Sequence, residues 1–160
     1  MPLLMQIATI PGESEVAGHT TWHPLLGFSW GGTRESRSMN VGSHRADTRV
    51  WAPQLRHASI RRFTDSRSAL FWEAAFRNMD IGMVKFEWLR TGEGAPVCFF
   101  AITLTGVRIL RLSAGAVGGR PIEDVDLSYR EIELGVRDVG NTLTGAQDIV
   151  TYKVPSHEGG

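Results

Sequence analysis

Apolar and small residues fill most positions from Leu3 to Ile10 and stop at Pro11-Gly12, the pattern of a strand running into a turn. From Trp22 to Trp30, Leu26, Phe28 and Trp30 fall on one face at period two with Gly27 and Ser29 opposite. That spacing predicts a half-buried strand ending at Gly31-Gly32. The next stretch, TRESRSMNVGSHRAD at Thr33–Asp47, has almost no apolar periodicity and predicts a long loop or loose hairpin. Loops of that length inside compact domains are usually functional or disordered, which makes this the first place to look for partner contacts. A strand-like pattern resumes over Thr48–Ile60 around Val50, Leu55 and Ile60, broken at Pro53 as suits an edge or a bend.

The periodicity then changes. Thr64 or Asp65 can cap a short helix running through Asn78, with Leu70, Phe71, Ala74 and Ala75 on one face and Asn78 or Gly82 ending it. Three strands follow at Met83–Arg90, Pro96–Leu112 (divisible near Gly106) and Val125–Val136, separated by glycine-rich turns at Thr91–Pro96 and Ser113–Pro121. A last strand is predicted over Asp148–Val154. Many strands around one helix give a mainly β fold: a β-barrel of two packed antiparallel sheets with one short flanking α-helix and a long extended loop. Residues 1–155 are expected to form a single domain and residues 156–160 a mobile tail.

Composition narrows the function classes. Lys and Arg number 17 and so do Asp and Glu, so no global field gathers polyanions, and close self-packing is tolerated. The one cysteine, Cys98, lies in an apolar run, so no intramolecular disulfide forms and a reducing compartment is expected. The opening MPLLMQIATIPGES has no basic n-region and interrupts its short apolar run with Gln6, which predicts neither a signal peptide nor membrane insertion.

Candidate chemistry is sparse. His19 and His23 are spaced i, i+4, with Glu13 and Glu15 nearby, but Gly18 and Pro24 flank them and predict a turn in which the rings do not converge. Histidines hydrogen-bonded in a turn are therefore expected, not a metal site. There is no GxSxG, no HExxH and no phosphate loop opening a helix; Gly115, Gly118 and Gly119 precede Arg120-Pro121 and predict a flexible hairpin turn. No catalytic residue and no cofactor are expected. Arg56, Arg61, Arg62 and Arg67 form a basic stretch with Phe63 among them. It suits a nucleic-acid surface less well than a solvated or subunit-facing strip, because total charge is balanced and no known module matches. Five tryptophans (Trp22, Trp30, Trp51, Trp72, Trp88) supply core or interface anchors.

Taken in order, IPGES at Ile10–Ser14, His19, Trp22, FSWG at Phe28–Gly31, Arg61–Phe63 leading to the helix, VCFFAITLTGVRILRLS at Val97–Ser113 and EDVDLSYREIEL at Glu123–Leu134 resemble the Hcp (haemolysin-coregulated protein) family. Gly27 stands where that family usually has serine, and Glu133–Val136 lacks its aromatic-rich pattern. The resemblance implies a tube subunit of a bacterial type VI secretion system. Six copies would close into a ring, and rings would stack inside a contractile sheath. The tube would leave the bacterial cytoplasm with spike and effector proteins by a signal-peptide-independent route, with a lumen that can hold effectors. It also places the ring-stacking or subunit contact on the loop after the second strand, where Arg34, Glu35, Arg37, Arg45 and Asp47 carry both signs to set register and Met39 and Trp51 can anchor. Alternatives are a small ligand- or nucleic-acid-binding barrel and a secreted effector on the same fold.

Overall fold

In chain order the elements are β1 (Leu3–Ile7), β2 (His23–Pro24), β3 (Gly27–Ser29), β4 (Gly32–Thr33), β5 (Ser36–Ser38), β6 (Thr48–Val50), β7 (Gln54–Leu55), β8 (Ala58–Phe63), α1 (Ser68–Phe76), β9 (Gly82–Arg90), β10 (Val97–Val117), β11 (Arg120–Ser128), β12 (Glu131–Arg137) and β13 (Gln147–Lys153). They are those of a computed structural model, which describes residues 2–34, 36–38, 48–50, 53–92, 94–137 and 147–153. All described pairings are antiparallel. One sheet runs β2-β1-β9-β10-β12-β13 and the other β10-β11-β8-β3, so the 21-residue β10 belongs to both. The two faces close on one core: Met5, Val84, Phe86, Ile102, Leu104 and Ile132 from the first sheet meet Ala58, Ile60, Ile109, Val125 and Leu127 from the second, and Phe71 and Ala74 of α1 join them. Two packed antiparallel sheets and one short helix are the architecture the alternation predicts. Among the described pairings, β2, β3 and β13 remain as edges.

Three predicted strands divide where the chain changes sheet. Within Trp22–Trp30, the Leu25 amide donates to Leu3 O of the first sheet, whereas the next amide, Leu26, donates to Arg61 O of the second. The crossover leaves Leu26 pointing outward, 48% exposed, while Phe28 and Trp30 pack against the core. Val125–Val136 breaks at Tyr129-Arg130, where β11 of one sheet gives way to β12 of the other and the Arg130 amide donates to Thr105 O. Thr48–Ile60 is likewise three strands, β6, β7 and the start of β8. Hydrophobic alternation does not register such changes, because both sheets bury one face in the same core.

Other boundaries shift for local reasons. β1 ends at Ile7, and Ile10 folds back to bridge it. The predicted turn at Ser113–Pro121 is strand except at Gly118 and Gly119, both at positive φ, because β10 and β11 stay paired out to Val117 and Arg120. Helix α1 starts at Ser68, not after Thr64 or Asp65, and Leu70 lies outward. Asp65 instead holds the entering turn, its Oδ1 accepting from the Arg67 amide at 2.8 Å. The predicted tail, residues 156–160, lies outside the described residues.

At Gly106 the alternation of β10 slips. Its φ is +66°, the register with β9 shifts between Leu104 and Val107, and a Cβ there would sit 2.9 Å from the Arg130 side chain. A left-handed residue inside a strand favours glycine, and any other side chain costs about 1–2 kcal/mol. Gly106→Ala is therefore expected to lower unfolding free energy by about that amount, read as a lower urea midpoint at unchanged m-value.

Candidate functional site

The described parts of the predicted contact loop form two short ribbons, taken together as an arm: β4 pairs with β7, β5 pairs with β6, and among the described residues neither pair joins either main sheet. Its root is fixed. The Arg56 amide donates to Gly31 O at 2.8 Å, Trp30 Nε1 donates to the Tyr129 hydroxyl at 2.5 Å, and that hydroxyl donates to Arg56 O at 2.7 Å. Burial raises the Tyr129 phenol above its ordinary range against the opposing effect of the Trp30 bond, so it remains a donor at neutral pH. Arg34 is exposed at the base of the arm. Arg37 lies in β5 with Arg49 opposite in register. Glu35, Met39, Arg45, Asp47 and Trp51 lie outside the described residues.

The basic strip does not survive as a strip. Arg61 faces outward and pairs with Asp124, Nε to Oδ1 at 2.8 Å. Arg62, on the same strand face as Ala58 and Ile60, points inward and is 1% exposed. Its guanidinium bonds Glu123, itself 0% exposed, at 2.7 Å and Asp65 at 2.6 Å, reaches Ser68 Oγ at 3.3 Å, and lies 4.5 Å over the Phe71 ring. The knot therefore ties β8, β11 and α1 together. Alternation could have found it, since Arg62 continues the inward set Ala58, Ile60 and Glu123 precedes Val125 and Leu127 at the same parity.

His19 and His23 do not share a site. His19 Nε2 meets Glu87 Oε2 at 2.5 Å and its ring stands edge-on to Trp22. Burial would raise the Glu87 carboxyl, but the bonds from His19 and Lys85 outweigh it and hold the group below the usual range. His23 is fully buried: Nε2 donates to Ile10 O at 2.7 Å and the ring stands edge-on to Phe71. This bond explains much of IPGES. Gly12 packs so closely against the backbone of Trp22 that a Cβ would lie 2.4 Å from its carbonyl oxygen, while the amides of Gly12 and Ser14 donate to Thr21 O and Trp22 O. Cys98 is half-buried and its thiol donates to Phe100 O. Among the described residues no group of three or more His, Cys, Asp or Glu could hold a metal ion. No described helix is long and apolar enough to cross a membrane.

Two outcomes follow from the buried groups. Removing one partner of a buried pair strands the other charge, so Arg62→Ala is expected to cost about 3–5 kcal/mol in denaturant unfolding. Replacing both partners, Arg62→Met with Glu123→Leu, should recover most of that. Burial, reinforced by Arg62, holds His23 below its ordinary value although the Ile10 bond opposes this. The unfolded chain therefore takes up the proton first. Stability from His23 is complete above about pH 6.5 and declines as pH falls below it, by up to about 1.4 kcal/mol per unit. The melting temperature should drop between about pH 7 and 5.5, and His23→Gln should flatten that slope.

A family model described as type VI secretion system effector, Hcp, matches residues 4–135. No curated protein matches the chain. Among solved structures, one described as a type six secretion system protein superposes with a TM-score of 0.80 at 23% identity, covering 96% of this chain and 95% of its own. A type VI secretion system effector from Yersinia pestis gives 0.73 at 19%, with 95% and 99% coverage. Hcp1 from Salmonella typhimurium gives 0.72 at 15%, with 95% and 93%. At these identities the structures establish a shared fold, while the family model spans β1 through most of β12, so this chain belongs to the Hcp family of type VI secretion system proteins.

Proposed function

We propose that the protein is a tube subunit: six copies close into a ring, and rings stack into the inner tube of a type VI secretion system. The observation that carries this is the family match over residues 4–135 on a chain that keeps a paired arm between β3 and β8. A ring needs two different complementary surfaces per subunit, and a stack needs a second pair at top and bottom. Exposed apolar side chains support the need for cover, among them Phe76 at 83% exposure, Leu110 at 60% and Val150 at 64%. The role is structural, and the partners are copies of itself together with sheath, spike and effector proteins, the last held in the lumen. The tube forms in the bacterial cytoplasm and leaves through the secretion apparatus.

The arm is the stacking element in this reading, with Arg34, Glu35, Arg37, Arg45 and Asp47 setting register by charge and Met39 and Trp51 anchoring it. Electron microscopy of purified protein should show annular particles, and a monodisperse monomer at all concentrations would count against the proposal. Combined Arg34→Glu and Arg37→Glu should shorten or abolish stacks while leaving single rings and thermal stability nearly unchanged, because exposed charges govern association more than folding. Rings that fall apart under that change would move the arm to the lateral interface.

A further inference from the structure

Resting on the tube reading, we infer that stacking joins two oppositely charged grooves, the loop Glu13–Val16 of one copy seating against the arm root of the next. An open groove of about 600 Å³ has a floor of Pro2, Leu3, Pro24 and Leu25 and a rim carrying Glu13 and Glu15, with no cation in its lining. A second, of about 700 Å³, lies at the arm root between Trp30, Gly31-Gly32 and Ser59, with Arg56 and His57 in its lining and no acidic residue. Arg34, exposed, follows directly on its Thr33 wall.

The grooves lie beyond opposite ends of β3 and β8, the acidic one lined in part by β1 and β2 of the first sheet and the basic one by Ser29 and Ser59 of the second. β3 enters from Pro24-Leu25 in the acidic groove and leaves through Ser29–Thr33 in the basic one. β8 repeats the relation: His57 and Ser59 stand at its start, while Glu13 is hydrogen-bonded by Ser66, just past its end. Six residues of extended chain separate the two by about 20 Å. A contact between different patches at opposite poles is heterologous and repeats along an axis without closing, which is what a stack requires.

The charges available to pair are on the page. Glu15 is exposed and forms no ion pair among the described residues. Arg56 holds the arm root through its backbone, and among the described residues its guanidinium makes no ion pair. His57 lies 3.4 Å from Asp126, whose other oxygen accepts from Ser59, so that carboxylate beside the basic groove is already engaged. A second copy's Glu15 therefore meets Arg56 and Arg34 in a partly desolvated cleft, where opposite charges select partner and register.

The test is a charge swap. Glu15→Arg alone and Arg56→Glu alone should each reduce the stacked fraction at least about tenfold, by sedimentation and microscopy, with single rings retained. The double variant should restore stacking to near the wild-type level. Independently, Glu15→Cys with Arg56→Cys in a Cys98→Ser background should give an oxidant-dependent disulfide between rings, since a bridge needs Cα atoms within about 7 Å. Stacks indifferent to both reversals, with no cross-link, would overturn this contact and leave the tube reading intact. A wild-type protein that never self-associates would overturn both.

Discussion

The left-handed backbone at Gly106 is the constraint on which the architecture turns. β10 pairs with β12 up to Thr105 and with β9, after a register shift past Leu104, up to Val107; from Arg108 onward it pairs with β11. One strand can serve two sheets only if it bends between them, and a bulge with φ of +66° supplies the bend without interrupting the covalent frame. The neighbouring link at Tyr129-Arg130 crosses at the same level, tied by the Arg130 amide to Thr105 O. Tyr129 then holds the root of the arm through Trp30 and Arg56. The bend thus reaches the surface: where β10 leaves the first sheet, the arm is anchored.

A second fixed point is polar. Helix α1 has nine residues, no side-chain N-cap bond and no acid in its first turn, so little in its own sequence holds it together. Phe71 and Ala74 supply apolar contact, and the Arg62 knot supplies direction, since its guanidinium meets Glu123, Asp65, Ser68 and the Phe71 face at once. Burying two charges costs several kcal/mol per ion, which their attraction in a low dielectric roughly offsets. Against an apolar replacement the pair therefore adds little net stability. It does add a penalty for any helix position that leaves either charge unpaired, and that penalty favours one orientation of α1.

Much of this was legible in the sequence and some was not, for physical reasons. Met83–Arg90 and the start of Asp148–Val154 were readable within a residue because each strand lies wholly in one sheet, and β9 keeps its alternation from Val84 to Phe86 before Leu89 turns to a second apolar cluster. Trp22–Trp30 and Val125–Val136 looked continuous because period two survives a change of sheet when both sheets face one core. Only non-local hydrogen bonds, such as Leu25 to Leu3 and Leu26 to Arg61, mark the division. The basic strip misled because residue type suggested solvent, although parity with Ala58 and Ile60 already turned Arg62 inward. For the arm, the sequence identified the segment and its charge, and the structure describes its base at Arg34 and the strand carrying Arg37.

Framework and assembly chemistry are separated along the chain. IPGES and the His23 turn interlock by contacts that tolerate almost no change: a glycine against the Trp22 carbonyl and a buried imidazole on Ile10 O. Such residues fix a shape and leave little for a partner to read. Immediately beside them, Glu13 and Glu15 point outward, and just past FSWG the exposed Arg34 begins the arm. In the proposed tube, a subunit with 17 charges of each sign has no net field to hold copies apart, so recognition would come from where the charges sit. Placing them next to the most rigid turns ties their spacing to the fold itself, and a repeating contact can then keep the same register from one copy to the next.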